Sequence, residues 1–173
     1  MAQYTSINLQ LRLATPEDLS LLLHWEEQPH VTAAAPDADW DFETELFRRP
    51  PWREHLIAEL AGRPIGFVQI IDPALEESHY WGAVPTGLRA LDIWIGAAGD
   101  LGKGYGTLIM EAAIARCFAT PDVGAILIDP LVTNEGARRF YARLGFVHQG
   151  NQVMQGDEVA VMKLERATWK QRA

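Results

Sequence analysis

Gly102, Gly104 and Gly106 alternate inside the stretch LGKGYGT, which opens a helix-like run to about Ala119. Bare backbone at a helix mouth suits an anion, because the first N–H groups of a helix lack internal partners and carry a partial positive charge. Two familiar phosphate loops fail here. In a Walker loop Gly96 and Gly102 stand too far apart, and Gly104 occupies the place that needs Ser or Thr. The dinucleotide spacing G-x-G-x-x-G is not met either, since the glycines run G-x-G-x-G. A pyrophosphate held by main-chain N–H groups of residues 102–107 without metal remains, with Lys103 adding charge at the rim.

Four other polar residues stand where chemistry is possible. Asp92 interrupts the apolar stretch LRALDIWIG and shares a face with Trp94. It is either an edge-of-sheet acid facing water or a carboxylate that binds an ammonium and takes its proton. Asp129 ends the apolar stretch GAILIDP, where ligands collect in open α/β sheets; the alternative is a turn acid before Pro130. Asn134 can cap the following helix. Tyr141 lies two turns further on the same face, and without a role in chemistry it would be a core aromatic beside Phe140. His24, His30, His55, His79 and His148 show no metal-ligand spacing, and Cys117 reads as a core thiol.

The elements that must position these groups follow from periodicity. Residues 7–13 alternate as a half-buried strand. Thr15, Pro16, Glu17 and Asp18 start a helix to about Glu27 that turns Leu19, Leu22, Leu23 and the Trp25 side inward. Residues 31–53 read as irregular, with a short helix near 42–48. Residues 55–60 and 64–72 form a hairpin through Ala61-Gly62-Arg63. A loop over 73–87 leads to a strand over 88–96, then the glycine loop and its helix. GAILIDP is apolar enough to be buried on both faces. Asn134 to Leu144 is a helix closed by Gly145, and FVHQGNQV with DEVAVMKLE makes a final antiparallel pair. The central strand–helix–strand unit forces one parallel pair into an otherwise antiparallel sheet. The expected fold is α/β, a mixed sheet with helices on both faces.

The chain has 173 residues, 48% of them apolar, which suits one domain spanning 1–173. A net charge of −8 argues against nucleic acid and is compatible with a cationic partner, or simply with solubility. No apolar run approaches the roughly 18 residues of a membrane span. The N-terminus MAQYTSINLQLRL lacks a basic patch followed by an apolar segment, and one cysteine allows no internal disulfide or metal cluster. A cytoplasmic protein without metal or membrane partner is expected, either monomer or homodimer.

Five segments carry a family resemblance: LRLATPEDL, GRPIGFVQ, LDIWIG, LGKGYGT, and IDPLVTNEGARRFYARLGFVHQG. They resemble the GNAT superfamily of acyl-CoA-dependent N-acetyltransferases, and within it the aminoglycoside 6′-N-acetyltransferases. The arrangement of Asp129, Pro130, Asn134, Ala137, Tyr141, Gly145 and Phe146 is the most specific part. The resemblance implies a sheet whose parallel strands splay apart to admit acetyl-CoA. It implies that Leu101, Gly102, Lys103, Gly104, Tyr105, Gly106 and Thr107 hold the diphosphate. Trp94 and Ile95 would line the pantetheine arm, with a nearby backbone N–H facing the carbonyl oxygen, and Asn134 would touch the same arm.

The same resemblance implies that Asp92 is the base and that Tyr141 is the proton donor to the departing thiolate. Asp129 would bind the amine, Tyr80 and Trp81 would stack on a sugar, and Trp25 and Glu77 would complete the acceptor contacts. There are departures. Most members carry Arg or Gln where Leu101 stands. A tryptophan pair in close relatives is replaced by Ala33-Ala34, leaving Trp40 or Trp52 to form that wall. Acceptors other than an aminoglycoside, such as a hydroxylated lysine or a polyamine, fit the same frame. A coenzyme A-binding regulatory module without turnover is the remaining reading, and pure binding would need neither Asp92 nor Tyr141.

Overall fold

The computed structural model describes residues 8–171, so Ile7 of the expected first strand lies outside the described residues. Strand β1 (Leu9–Leu13) is followed by a capping turn in which the Thr15 N–H donates to the Asp18 carboxylate at 2.8 Å. Arg12 clamps the same carboxylate at 2.8 Å, holding it below the usual range through that hydrogen bond. Helix α1 (Leu19–Glu26) follows. Where the sequence reads as irregular, Pro29 starts a further short helix, α2 (Pro29–Ala34), because its fixed φ suits a first turn. Helix α3 (Phe42–Glu45) is the expected short one.

Strands β2 (Arg53–Leu60) and β3 (Arg63–Ile71) form the hairpin. Its turn residues Ala61 and Gly62 both have positive φ, at 50° and 80°, which matches the twist of a tight hairpin. Strand β4 (Leu88–Ile95) pairs antiparallel with β3, with Gln69 opposite Asp92 and Phe67 opposite Trp94. Helix α4 (Tyr105–Phe118) carries the chain over to β5 (Ala125–Ile128). Helix α5 (Glu135–Arg143) is followed by β6 (Val147–Met154), β7 (Asp157–Glu165) and a short α6 (Arg166–Lys170) that the sequence reading lacks. Arg166 ties α6 down by donating to the carbonyls of Val123 and Phe118 at 2.7 and 2.8 Å.

The seven strands form one sheet in the order β1-β2-β3-β4-β5-β7-β6. Only β4 and β5 are parallel, and they pair at Leu88, Arg89 and Ala90 against Ala125, Ile126 and Leu127. Beyond Ala90 the ladder stops. There β5 stays with β7, matching Ile128 to Met162, while β4 stays with β3. The parted strands are the splay that the family resemblance implies. One face of the sheet is covered by α4, whose Ile109, Met110, Ala113, Ile114 and Cys117 are buried against Leu56, Val68 and Leu91. The other face carries a separate cluster in which Leu22, Trp25, Val31 and Phe42 cover Ile57, Phe67 and Trp94.

Candidate active site

The glycine loop has the expected form. Gly102 and Gly104 have φ of 73° and 81°, and a Cβ on either would meet open space, so the bare backbone faces outward rather than into packing. Gly104 is the N-cap of α4 and supplies no side-chain acceptor. Among the described residues, the backbone N–H groups of Gly102 to Thr107 have no acceptor outside the helix. These successive donors at a helix mouth, with room before them, fit the diphosphate of coenzyme A. Leu101 is 45% exposed, apolar and without a hydrogen-bonding group to offer. Lys103 leans back to Asp100 at 3.4 Å, and Arg63 holds that aspartate at 2.7 Å. One carboxylate against two cations leaves a net positive charge at the rim of the loop.

Strand β4 sorts its residues by parity. The Gly96 N–H donates to Ile65 O at 3.0 Å, so even-numbered backbone groups face β3. By the alternation of an antiparallel ladder, those of Ile93 and Ile95 face the gap left by β5. This corrects the expectation for Trp94: its backbone is committed to β3 and its side chain is core, and the free edge belongs to Ile93 and Ile95. Such an edge fits an extended pantetheine arm laid on as an added strand. His30 of α2 reaches the same edge, with Nε2 2.7 Å from Ile95 O. Since a carbonyl only accepts, that nitrogen carries the proton.

Even-numbered side chains of β4 face the other way, under α1 to α3 and the 73–87 loop. Ala90 packs with Trp52 and Trp81, Trp94 packs with Trp40 at 4.7 Å, and Asp92 lies between the two aromatic groups. Trp40 packs with the group around Trp94 and Trp52 with that around Ala90, the neighbours of Asp92 on this face of β4. Burial pushes Asp92 up from the ordinary carboxylate range, against a hydrogen bond from Gln69 Nε2 at 2.8 Å. Gln69 Oε1 in turn lies 2.8 Å from Nε2 of His55. His55 is 9% exposed, and burial, aided by Arg53, pushes it down to about 4, so it is neutral at ordinary pH.

Asp129, just beyond β5, accepts a hydrogen bond from the Tyr80 hydroxyl at 2.6 Å. Burial and then the charge of Asp92 push it up to about 7, and the Tyr80 bond opposes them. Tyr80 itself is held in its protonated form by burial and by Asp129. The loop that delivers Tyr80 is fixed by Glu76, which is 8% exposed and accepts from the Tyr80 N–H at 3.0 Å. Asn134 caps α5 by accepting from the Ala137 N–H at 3.1 Å. Tyr141, packed against Phe140 and Phe146, is raised by burial and then by the charges of Asp92 and Asp129, so it keeps its proton. Two carboxyl groups and a phenol therefore meet where the strands part. Together they can bind a cationic amine, take a proton from it and return one nearby.

Two acceptor expectations are not brought there. Trp25 is 3% exposed, and its ring fills the space a side chain at Gly96 would take, with ring atoms 2.0–2.4 Å from that Cβ position. It locks α1 onto β4 as core. Glu77 pairs with Arg48 at 2.8 Å on the surface, 60% exposed. The sequence reading missed His55, Gln69 and His30. Their signal is cross-strand register, which period-two alternation hints at within a strand but cannot align between strands.

Known proteins share the family and the fold of this chain. The acetyltransferase (GNAT) domain family matches residues 14–154. An aminoglycoside N(6′)-acetyltransferase type 1 of Klebsiella pneumoniae is 32% identical over 154 residues, covering 83% of this chain and 76% of that protein. A lysine N-acyltransferase of Mycobacterium tuberculosis, MbtK, is 28% identical over 172 residues, covering 91% of this chain and 78% of its own length. The crystal structure of aminoglycoside acetyltransferase AAC(6′)-Ib with coenzyme A and kanamycin superposes with a TM-score of 0.85. That structure is 28% identical, and the match covers 96% of this chain and 100% of the other. With its splayed β4 and β5, its glycine-rich helix mouth and a family match over most of its length, the chain belongs to the GNAT acetyltransferases.

Proposed function

We propose that this protein is an acetyl-CoA-dependent N-acetyltransferase whose acceptor is the 6′-amine of an aminoglycoside. One observation carries the reading: Asp92, Asp129 and Tyr141 converge at the opening between β4 and β5, beside the uncapped mouth of α4. Acetyl-CoA, when bound, supplies the thioester carbonyl that the amine attacks. The N–H groups of residues 102–107 hold its diphosphate, and Leu101 adds only apolar contact. The gap-facing backbone of Ile93 and Ile95, whose Ile95 carbonyl already accepts from His30, lines the arm, and an N–H on that edge faces the carbonyl oxygen. Asn134, already a cap, borders the same channel.

Asp129 and Tyr80 bind the ammonium, and Trp81 offers its ring to the sugar. Asp92, made more basic by burial, takes the proton that the amine must lose. Tyr141 holds a proton for the departing sulfur. Relatedness to the aminoglycoside enzyme over 83% of the chain supports the acceptor class. Relatedness to a lysine N-acyltransferase supports a second reading, in which a lysine-type side chain is the acceptor. The family match supports a single domain, and dependence on acetyl-CoA fits a cytoplasmic site.

The test is Asp92→Asn. Turnover should fall about 10²- to 10⁴-fold, the range for a lost general base, with acetyl-CoA affinity unchanged. Unchanged turnover with every active acceptor would remove Asp92 from the chemistry. Comparing kanamycin with free lysine as acceptors separates the two readings.

A further inference from the structure

His55, Gln69 and Asp92 stand directly opposite one another on β2, β3 and β4, and two 2.8 Å hydrogen bonds join them into one row. An amide is nearly symmetric in shape, so Gln69 can present either its NH2 or its oxygen to Asp92. A carboxylate only accepts, so the NH2 must face it, and the amide oxygen then faces His55. That oxygen also only accepts, which fixes His55 as the tautomer with the proton on Nε2.

We propose that His55 is a positioning residue: its Nε2–H locks the Gln69 amide with the NH2 toward Asp92, and so keeps Asp92 an ionised proton acceptor. The proposal rests on the reading of Asp92 as the base. Without the histidine N–H, the amide is free to turn its oxygen to Asp92, an arrangement that suits only the protonated acid. The row then favours the state that cannot accept a proton from an amine.

The surroundings leave this lock decisive. Among the described side chains, Gln69 alone donates to Asp92. The other titratable groups acting at Asp92 are Asp129 at the end of β5, Tyr141 of α5 and Tyr80 of the 73–87 loop. None of them is a cation that would hold Asp92 ionised. Around His55 stand Arg53 and Glu45, with the rings of Phe42 and Phe67 at 5.8 and 5.4 Å. All of these remain when His55 is replaced.

His55→Phe keeps an aromatic ring in that cluster and removes only the donor. The acid limb of the kcat/KM profile should move up by about one pH unit. Activity below both limbs then falls about tenfold, while above both it converges with that of the parent protein. In a Gln69→Leu background, His55→Phe should add no further shift. NMR titration of the Asp92 carboxyl reads the same change without turnover. An unmoved carboxyl titration in His55→Phe, a uniform loss at every pH, or a full extra shift in the double variant would each overturn the proposal. If the carboxyl titration moves but Asp92→Asn remains fully active, the lock stands and the base assignment fails.

Discussion

Asp129→Asn should stabilise the protein, increasingly as pH rises above about 4 and in full from about pH 7. In the native state the Asp129 carboxyl is pushed from 3.8 up to about 7, first by burial and then by Asp92. Between those values the native protein holds a proton that the unfolded chain has lost. Stability therefore falls as pH rises through this window, by about 1.4 kcal/mol per pH unit while the imbalance is complete. A gap of roughly three units sets a ceiling of about 4 kcal/mol. Part of that shift comes from Asp92, and this share is common to both acids. About half, or ~2 kcal/mol, is what the amide should recover at pH 8. The Tyr80 hydroxyl still finds an acceptor in the asparagine oxygen, so no buried donor is orphaned. For a protein of this size, ~2 kcal/mol is about 4–8 °C in Tm. Urea unfolding of parent and variant from pH 4 to 8 reads it directly. The two should coincide near pH 4, separate progressively above it and be fully apart by about pH 7; on the proposed ammonium-binding role, acceptor KM rises as well. A constant offset between the two curves at all pH values would refute the reasoning, since it would mean that Asp129 ionises as freely in the native state as in the unfolded one.

Two further variants test the scaffold. Gly96→Ala places a Cβ 2.0–2.4 Å from the Trp25 ring, which is itself 3% exposed and has nowhere to retreat, so a loss of at least about 1–3 kcal/mol is expected in the same unfolding assay. Asn134→Ala removes the acceptor for the Ala137 N–H and should lower stability by about 1 kcal/mol; a loss within error would mean that another group caps α5.

The elements with strong local signals were legible. The glycine run and the long apolar stripe beginning at Tyr105 specify α4 to within a residue, and the all-apolar AILI specifies β5. Asp92 was conspicuous because an acid in an apolar strand is costly and calls for a reason. What stayed hidden depends on alignment between strands that are distant in sequence. His55 and Gln69 lie 14 residues apart and Gln69 and Asp92 lie 23 apart, and their contact exists only once both hairpin registers are set. Trp25 misled for the opposite reason: an aromatic on a helix near the cleft looks like a ligand contact until its partner, a glycine with no side chain, is found beneath it. Helix α2 was missed because its start depends on Pro29 and its end on tertiary packing of Val31 rather than on any periodic stripe.

The site also depends on the parity of one strand. Odd-numbered residues of β4 offer backbone to the gap, while even-numbered Ala90, Asp92 and Trp94 send side chains to the face under α1 to α3. Gap-facing backbone and the Asp92 side chain therefore alternate along one strand and cannot drift relative to each other. A slip of one residue in the β3–β4 register would exchange both functions at once, turning Asp92 toward the Met110 core and the Trp94 backbone toward the gap. Such a slip would bury an unpaired carboxylate among Leu56, Val68 and Ile114, at a cost of several kcal/mol. The Trp25 ring seated on Gly96 holds this end of β4 by keying it to α1, while β2 and β3 are set by the Ala61-Gly62 turn together with the one-residue register shift between Ala58 and Glu59. On this argument Gly96→Ala should harm turnover beyond what its lost stability explains, because it disturbs the end of β4 that aligns Asp92 with the opening. Assayed well below its melting temperature, the variant should show a lowered kcat; a kcat equal to that of the parent would separate register from catalysis and remove the link.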